Sequence, residues 1–318
     1  MTSHGKPVRV AIVGVGNVGA TLAYTLLLSG IAPEIVLIDV NRARAEGEAM
    51  DLNHSVPFAP PARVWAGDYD DCAGAIATVI TAGAAQRPGE SRLDLAKRNA
   101  TIFRQIVPSV AEANPEGIIL VATNPVDVLT YETWRLSGLP PGRVIGSGTI
   151  LDTARFRYLL SEHFGVDPRS VHAYIVGEHG DSEVPVWSLA NIAGMRLPDF
   201  CAVQGIRYDT GAMDAIFAET RDAAYRIIER KQATYYAIGA AMLRLIEAIV
   251  RDQDTVLSVS SRIDSYFGMT DVAFSLPTVL NRGGVAQVLR LHLDASEMDG
   301  LARSVEVLKT TIEAIERE

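Results

Sequence analysis

Short runs of β-branched and apolar residues recur along the first half of the chain, each ending in a glycine or a polar turn. They lie at residues 8–15 (VRVAIVGV), 34–40 (EIVLIDV), 77–83 (ATVITAG), 117–123 (GIILVAT) and 143–148 (RVIGSG). A strand with one wet face alternates apolar and polar residues. These runs do not alternate, so both of their faces must be covered. Helical spacing lies between most of them, over 17–30 and near 93–113 among others. The pattern predicts an α/β fold in which a doubly wound parallel sheet is sandwiched between helices.

The second half has a different texture. A helical segment (149–163) leads into a strand-like run, SVHAYIVG (170–177). Long amphipathic helices follow near 211–229 and 233–251, then two strand patterns at 255–261 and 271–280, and a terminal helix at 296–316. This predicts a mixed α+β domain. No flexible linker separates the halves, so residues 1–147 and 148–318 are expected to meet at a rigid junction with a cleft between them.

GVGNVG (14–19) is a GxGxxG motif. Alone it fits any glycine-bearing turn. Here it follows a strand and opens a helix, which points to dinucleotide binding by a Rossmann domain. Gly14 permits the tight turn, Gly16 lets the backbone approach a pyrophosphate, and Gly19 lets helix and strand pack closely. Asp39, twenty residues beyond Gly19, ends the second strand. A carboxylate there accepts hydrogen bonds from ribose hydroxyls and repels a 2′-phosphate, which selects NAD over NADP. Arg44 nearby offsets some of that repulsion.

Composition removes several classes. Hydrophobic residues make up 48% of the 318 and charged residues 21%, a globular balance. The net charge of -9 argues against nucleic acid as a partner. No apolar run of about 18 residues suggests a membrane span. The polar start MTSHGKPVR does not read as a signal peptide. Cys72 and Cys201 form no CxxC, so the expected location is the reducing cytoplasm. The sequons at Asn53 and Asn99 read as chance.

The remaining motifs carry chemistry. Asp152 and Arg155, in GSGTILDTARFR (146–157), stand three apart on one helix face. They make either a local ion pair or a working couple. In the second case Arg155 clamps a substrate carboxylate, and Asp152 binds the far ring nitrogen of His179. His179 lies in VGEHGDSEVPVWS (176–188), flanked by Glu178, Asp181 and Glu183. That spacing fits no zinc pattern, so no metal is expected. Of the glycines beside the histidine, Gly177 and Gly180 are expected to end the strand and leave room for ligand.

Taken together, VGVGNVG, TAGAAQRPGESRLDL, VATNPVD, SGTILDTARFR, GEHGDSEVPVWS and KQATYY resemble, in order and across essentially the whole chain, the lactate/malate dehydrogenase family. The resemblance implies hydride transfer between NADH and a 2-oxoacid. It implies that His179 donates and accepts the proton, that Asp152 is its carboxylate partner, and that Arg155 is the clamp. Arg92 matches the arginine on a mobile loop that polarises the reacting carbonyl. Gln86, Asn124 and Thr234 match residues that seat substrate and nicotinamide. Val18, Asp39, Arg44, Tyr69, Gly83, Ala84, Ala122, Thr123, Asn124 and Ser147 fall where the family contacts NAD.

The family's malate enzymes resemble RKPGMSR in the loop, where an arginine reads the second carboxylate. Counting back from Pro88-Gly89 places Gln86 there. A dicarboxylate would then bury an unpaired charge. Glu90 and Glu178 agree, and pyruvate/lactate is the expected substrate pair. Arg157 and His172 match the cationic pair with which the allosteric members bind fructose 1,6-bisphosphate across a subunit interface, which implies an effector-linked homotetramer. Gln232, where relatives have glycine, and Ala85, where relatives are often polar, depart from the pattern. A malate or longer-chain 2-hydroxyacid dehydrogenase is the near rival. A noncatalytic dinucleotide-binding or structural protein is the distant one.

Overall fold

Every apolar run of the first half becomes a strand, and the strands lie side by side. The computed structural model describes residues 7–85 and 89–317. The elements alternate as β1 (Arg9–Val13), α1 (Asn17–Ser29), β2 (Glu34–Ile38), α2 (Arg42–Ser55), β3 (Arg63–Ala66), β4 (Ala77–Ile80), α3 (Arg92–Ala113), β5 (Ile118–Val121), α4 (Val126–Ser137) and β6 (Val144–Gly146). The parallel part of the sheet runs β6-β5-β4-β1-β2-β3.

The lack of alternation in the strands has its cause in the two cores. Ala11, Val13, Val36, Ile38, Ile80, Ile119 and Val121 face one core with α3 and α4 residues. Their neighbours Val10, Ile12, Ile35, Leu37, Val79, Ile118 and Leu120 face the other, with α1 and α2 residues and with Met242, Leu245 and Ile249 from the second half. Both faces are dry, so every position must be apolar. Helix α1 stops where Gly30 takes a left-handed φ of 66° and its N–H caps Leu26 and Leu27.

The second half begins with α5 (Ile150–Phe164). The predicted strand at 170–177 is broken into β7 (Val171–His172) and β8 (Ile175–Val176), which join different small sheets. β8 pairs with β9 (Val184–Pro185), and β7 with β10 (Asn191–Ile192), which pairs in turn with β11 (Met195–Arg196). Helices α6 (Leu197–Gln204), α7 (Thr210–Lys231) and α8 (Tyr236–Val250) follow. Then come β12 (Thr255–Ile263), β13 (Val272–Asn281), β14 (Gly284–Val288) and α9 (Ala295–Glu316).

The sheet does not stop near residue 147. β12 pairs antiparallel with β6 through Ser260 and Gly146, and β13 and β14 extend the sheet to nine strands. The junction between the halves is therefore a continuous ladder of strands. Among the described residues no helix is long and apolar enough to cross a membrane.

The glycine loop is built for close approach. Gly14 has φ 97°, and a Cβ there would lie 2.4 Å from the Ala82 nitrogen. A Cβ on Gly19 would lie 2.0 Å from the Gly14 carbonyl oxygen and 2.8 Å from Thr81 Oγ1. Gly19→Ala must push α1 off β1. It should lower stability to urea by more than about 2 kcal/mol; an unchanged unfolding midpoint would show that the loop tolerates the methyl group.

Candidate active site

Three helices present their first turns to one place, at the carboxyl ends of the strands that precede them. Arg92 is the first residue of α3, after a capping box in which Ser91 Oγ accepts from the Asp94 N–H. Asp127 lies in the first turn of α4 and Asp152 in the first turn of α5. Both acids thereby meet the positive end of a helix dipole.

His179 arrives from the loop after β8. That loop is fixed to the main sheet by paired backbone bonds between Gly177 and Ser275, each 2.9 Å. The Ser275 hydroxyl accepts from the Thr149 N–H at the cap of α5, which ties the histidine loop and α5 to one strand. His179 Nδ1 lies 2.5 Å from Asp152 Oδ2. Asp152, 2% exposed, also accepts at Oδ1 from Arg155 Nη1 at 2.9 Å. One carboxylate thus serves the local ion pair with Arg155 and the histidine together.

Burial works against an imidazolium at His179. The adjoining Asp152 carboxylate overrides it, with help from Asp127 and from any charge on Glu183, and the ring is pushed up to about 9. Burial likewise works against an ionised Asp152. His179 and Arg155 overcome it and hold the carboxyl below its ordinary value.

Asp127 was within reach of the sequence, in the quoted ATNPVD, and carries no role there. It is 1% exposed and accepts from the His179 backbone N–H at 2.7 Å. Burial raises it to about 6. Asn99 is the second addition. It is buried on α3, accepts from the Ala84 N–H at 2.8 Å and donates to the Asn124 carbonyl at 2.7 Å. Its side chain therefore joins the two loops that follow β4 and β5. Asn53 likewise pairs with both backbone groups of Val64.

The acids beside His179 separate. Asp181 forms an ion pair with Arg92 at 2.9 Å, and the Tyr225 hydroxyl bonds both of them. Glu178 accepts from the Ser182 hydroxyl, and its N–H donates to Ser304 Oγ at 2.7 Å. Glu183 turns inward, with one oxygen in a set that includes Asp152 and His179 atoms, all within 4.8 Å of one another. The Arg155 guanidinium already bonded to Asp152 puts a fixed cation beside this set, which disfavours a metal ion. The expected room beside Gly177 is occupied by protein. Its φ is 88°, and a Cβ would lie 2.6 Å from Ser304 Oγ, so this glycine serves packing against α9.

The residues expected to hold NAD line the other side of the same strand ends. Gly16 caps α1 with no side-chain bond, and a Cβ there meets nothing within 4 Å. The first turn is thus uncapped by any side chain and open beside Gly16, as close approach of a pyrophosphate requires. Val18 is half-buried on that turn. Asp39 accepts from the Val15 and Asn41 N–H groups at 2.8 and 2.9 Å. Tyr69 stands near enough to Asp39 to feel its charge. Arg44 runs along α2 toward Glu48, 3.9 Å away. Gly83 backs onto Thr123, whose hydroxyl donates to the Ala82 carbonyl at 2.8 Å, beside the half-buried Ala122. Ser147 is buried, with its N–H on the Val121 carbonyl. These features fit a dinucleotide.

Gln86 lies outside the described residues. The flanks of its loop are tied to α3, since Arg98 bonds both the Ala85 carbonyl and Glu90. Thr234 sits half-buried between α7 and α8. Two residues before it, Gln232 ends α7 with φ 65°, a left-handed conformation that suits glycine better. Arg157 donates from Nε to the Ala173 carbonyl at 2.9 Å and lies over the Tyr174 ring. Its partner Ala173 directly follows the exposed His172.

Comparison with known proteins gives the same arrangement a family. The family model "lactate/malate dehydrogenase, NAD binding domain" matches residues 8–146, and "lactate/malate dehydrogenase, alpha/beta C-terminal domain" matches 149–318. The chain is 52% identical to an L-lactate dehydrogenase of Thermoanaerobacter sp. (strain X514), covering 97% of this chain and 99% of that one. It is 53% identical to L-lactate dehydrogenase 1 of Bacillus cereus (strain ATCC 10987 / NRS 248), covering 96% and 97%. The crystal structure of a minor L-lactate dehydrogenase from Enterococcus mundtii superposes with a TM-score of 0.94 at 42% identity, covering 97% and 98%. The chain belongs to the lactate/malate dehydrogenase family and is an NAD-dependent oxidoreductase.

Proposed function

We propose that the chain is an L-lactate dehydrogenase that interconverts pyruvate and (S)-lactate in the cytoplasm. The observation that carries this reading is the buried Asp152, bonded at once to His179 and Arg155. NAD, when bound, supplies the hydride acceptor or donor. The protein's own residues handle charge and protons. The free edge of Arg155 clamps the substrate carboxylate. His179, held as imidazolium, protonates the forming alkoxide, and in reverse takes the hydroxyl proton as the neutral ring. Asp152 fixes its tautomer, and Asp127 fixes the backbone that carries it.

Arg92, paired here with Asp181, exchanges that partner for the reacting carbonyl oxygen and stabilises its charge. Asn124 and Thr234 seat the substrate. The cofactor lies along Gly14, Gly16, Val18, Gly19, Asp39, Arg44, Tyr69, Gly83, Ala84, Ala122, Thr123, Asn124 and Ser147. We divide the labour at residue 147, with residues 1–147 holding the cofactor and 148–318 supplying the acid, its partner and the clamp.

The preference for pyruvate rests on Gln86, read from the sequence, and on the names the relatives carry. The effector reading assigns Arg157 and His172 to fructose 1,6-bisphosphate at a subunit interface of a homotetramer. It is supported by the bond that brings Arg157 to the strand of His172.

Three measurements test this reading. The imidazolium persists up to about 9, so kcat/KM for pyruvate should be flat through neutral pH and fall above about 9. For lactate, which needs the neutral ring, kcat/KM should climb toward about 9 and level off. Asp152→Asn should draw both limbs down toward the ordinary histidine value of 6.5; limbs that stay in place would remove Asp152 from its role. Gln86→Arg should raise kcat/KM for oxaloacetate relative to pyruvate by about a hundredfold or more; an unchanged ratio would sink the substrate assignment. Fructose 1,6-bisphosphate should sharpen the pyruvate saturation curve and raise the sedimentation coefficient, and Arg157→Gln should abolish both effects. No response in the natural protein would refute the effector site.

A further inference from the structure

We propose that Glu183 is a positioning residue of the catalytic cluster, a neutral carboxyl that keeps its proton beside Asp152 and so leaves Asp152 as the anion that holds the His179 ring. The inference rests on the reading of His179 as proton donor and acceptor, and concerns what sets that histidine's basicity.

Glu183 is 6% exposed, and its Oε1 atom is buried with no hydrogen-bond partner. One of its oxygens, one of Asp152 and a ring nitrogen of His179 lie within 4.8 Å of one another. Two carboxyl groups that close, away from water, do not both ionise. Which one keeps the charge follows from the partners. Asp152 is bonded directly to His179 and Arg155 and sits in the first turn of α5.

Glu183 has none of these supports. The cations that act on it, His179 first and then Arg155 and Arg221, do so through space, and each already pairs with another acid, Asp152 for the first two and Asp222 for the third. On its other side Glu183 lines a cavity of about 370 Å³ under α9, across which lie Glu297 and Arg303. Glu297 is committed to the Ser188 N–H and hydroxyl. Asp127 acts on His179 from the α4 side. Burial first, and the Asp152 charge second, push Glu183 up to about 9.

The functional consequence concerns the direction of reaction. A second anion facing His179 would hold the ring proton harder and deplete the neutral base that lactate oxidation needs. A proton on Glu183 removes that charge and points an O–H dipole toward Asp152, which eases the grip of Asp152 on the ring. The family resemblance gives Glu183 no role. It became visible only when Asp152 was brought to it across the fold.

The deciding readouts use the full-length protein without substrate, so they do not depend on turnover. Glu183→Gln is isosteric and permanently neutral. The NMR titration midpoint of the His179 ring in that variant should stay within about 0.3 pH units of the natural protein's value. The infrared carbonyl band of a protonated buried carboxylic acid, present at neutral pH, should disappear in the same variant. Glu183→Leu removes the O–H dipole and should raise the midpoint by about half a pH unit or more. The acidic limb of kcat/KM for lactate should move with it.

A midpoint lowered by about one unit or more in Glu183→Gln would mean an ionised Glu183 and overturn the inference. So would an infrared band that survives the substitution. Unchanged midpoints in both variants would reduce Glu183 to a packing residue and overturn it as well. Failure of the natural protein to oxidise lactate would instead count against the proposed reaction, with the ring titration still deciding the state of Glu183.

Discussion

A carboxylate taken out of water is the constraint around which the site is organised. Asp152 is almost wholly buried, and an isolated charge there would be too costly to keep. Three features offset that cost: the imidazolium of His179, the guanidinium of Arg155 and the N-terminus of α5. The dependence is mutual. Asp152 holds its charge because two cations face it, and His179 holds its proton because Asp152 is charged. Neither residue has its working protonation state without the other.

The sheet makes this arrangement possible. β4, β5 and β6 end in register, and the helices that follow them start at the same level, so Arg92, Asp127 and Asp152 come from three successive first turns. The histidine comes from a loop that belongs to none of these units. It is pinned by Gly177 to β13, and β13 joins the same sheet through β12. The extension of the sheet past β6 therefore shapes the candidate site. Through it the second half of the chain is held in fixed register against the first, and Asp152 meets a histidine 27 residues away at 2.5 Å.

Much of this was legible in the sequence, for definite reasons. Strands buried on both faces leave an apolar signature that needs no partner to interpret, so β1, β2, β4, β5 and β6 were all visible. Long amphipathic helices such as α7 were visible too. Two-residue strands such as β10 and β11 have no period and were not. The break between β7 and β8 was hidden because Ala173 is as apolar as a strand residue. In the site, residues within a motif were legible, and residues whose role depends on burial were not. Asp127 stood inside ATNPVD without a role, since nothing local says that its side chain is dry. Asn99 read as a chance sequon, whereas its amide joins the loops of Ala84 and Asn124. Gln232 shows the converse. The departure from glycine was legible, and the backbone keeps the left-handed turn regardless.

The acids around His179 show why composition near a candidate catalytic residue is a weak guide to its chemistry. Glu178, Asp181 and Glu183 occur within six residues, yet each occupies a different dielectric setting. Asp181 is largely exposed and pairs with Arg92, which is itself half in water. A pair so exposed contributes little on its own. Glu178 is spent on hydroxyl and backbone contacts around Ser182 and Ser304. Glu183 alone turns into the protein, where the field of Asp152 opposes a second charge. The same functional group thus serves as a solvated ion-pair partner, a hydroxyl acceptor and a buried acid pushed up by its surroundings. What separates the three is water and neighbours, which the fold supplies and the local sequence does not.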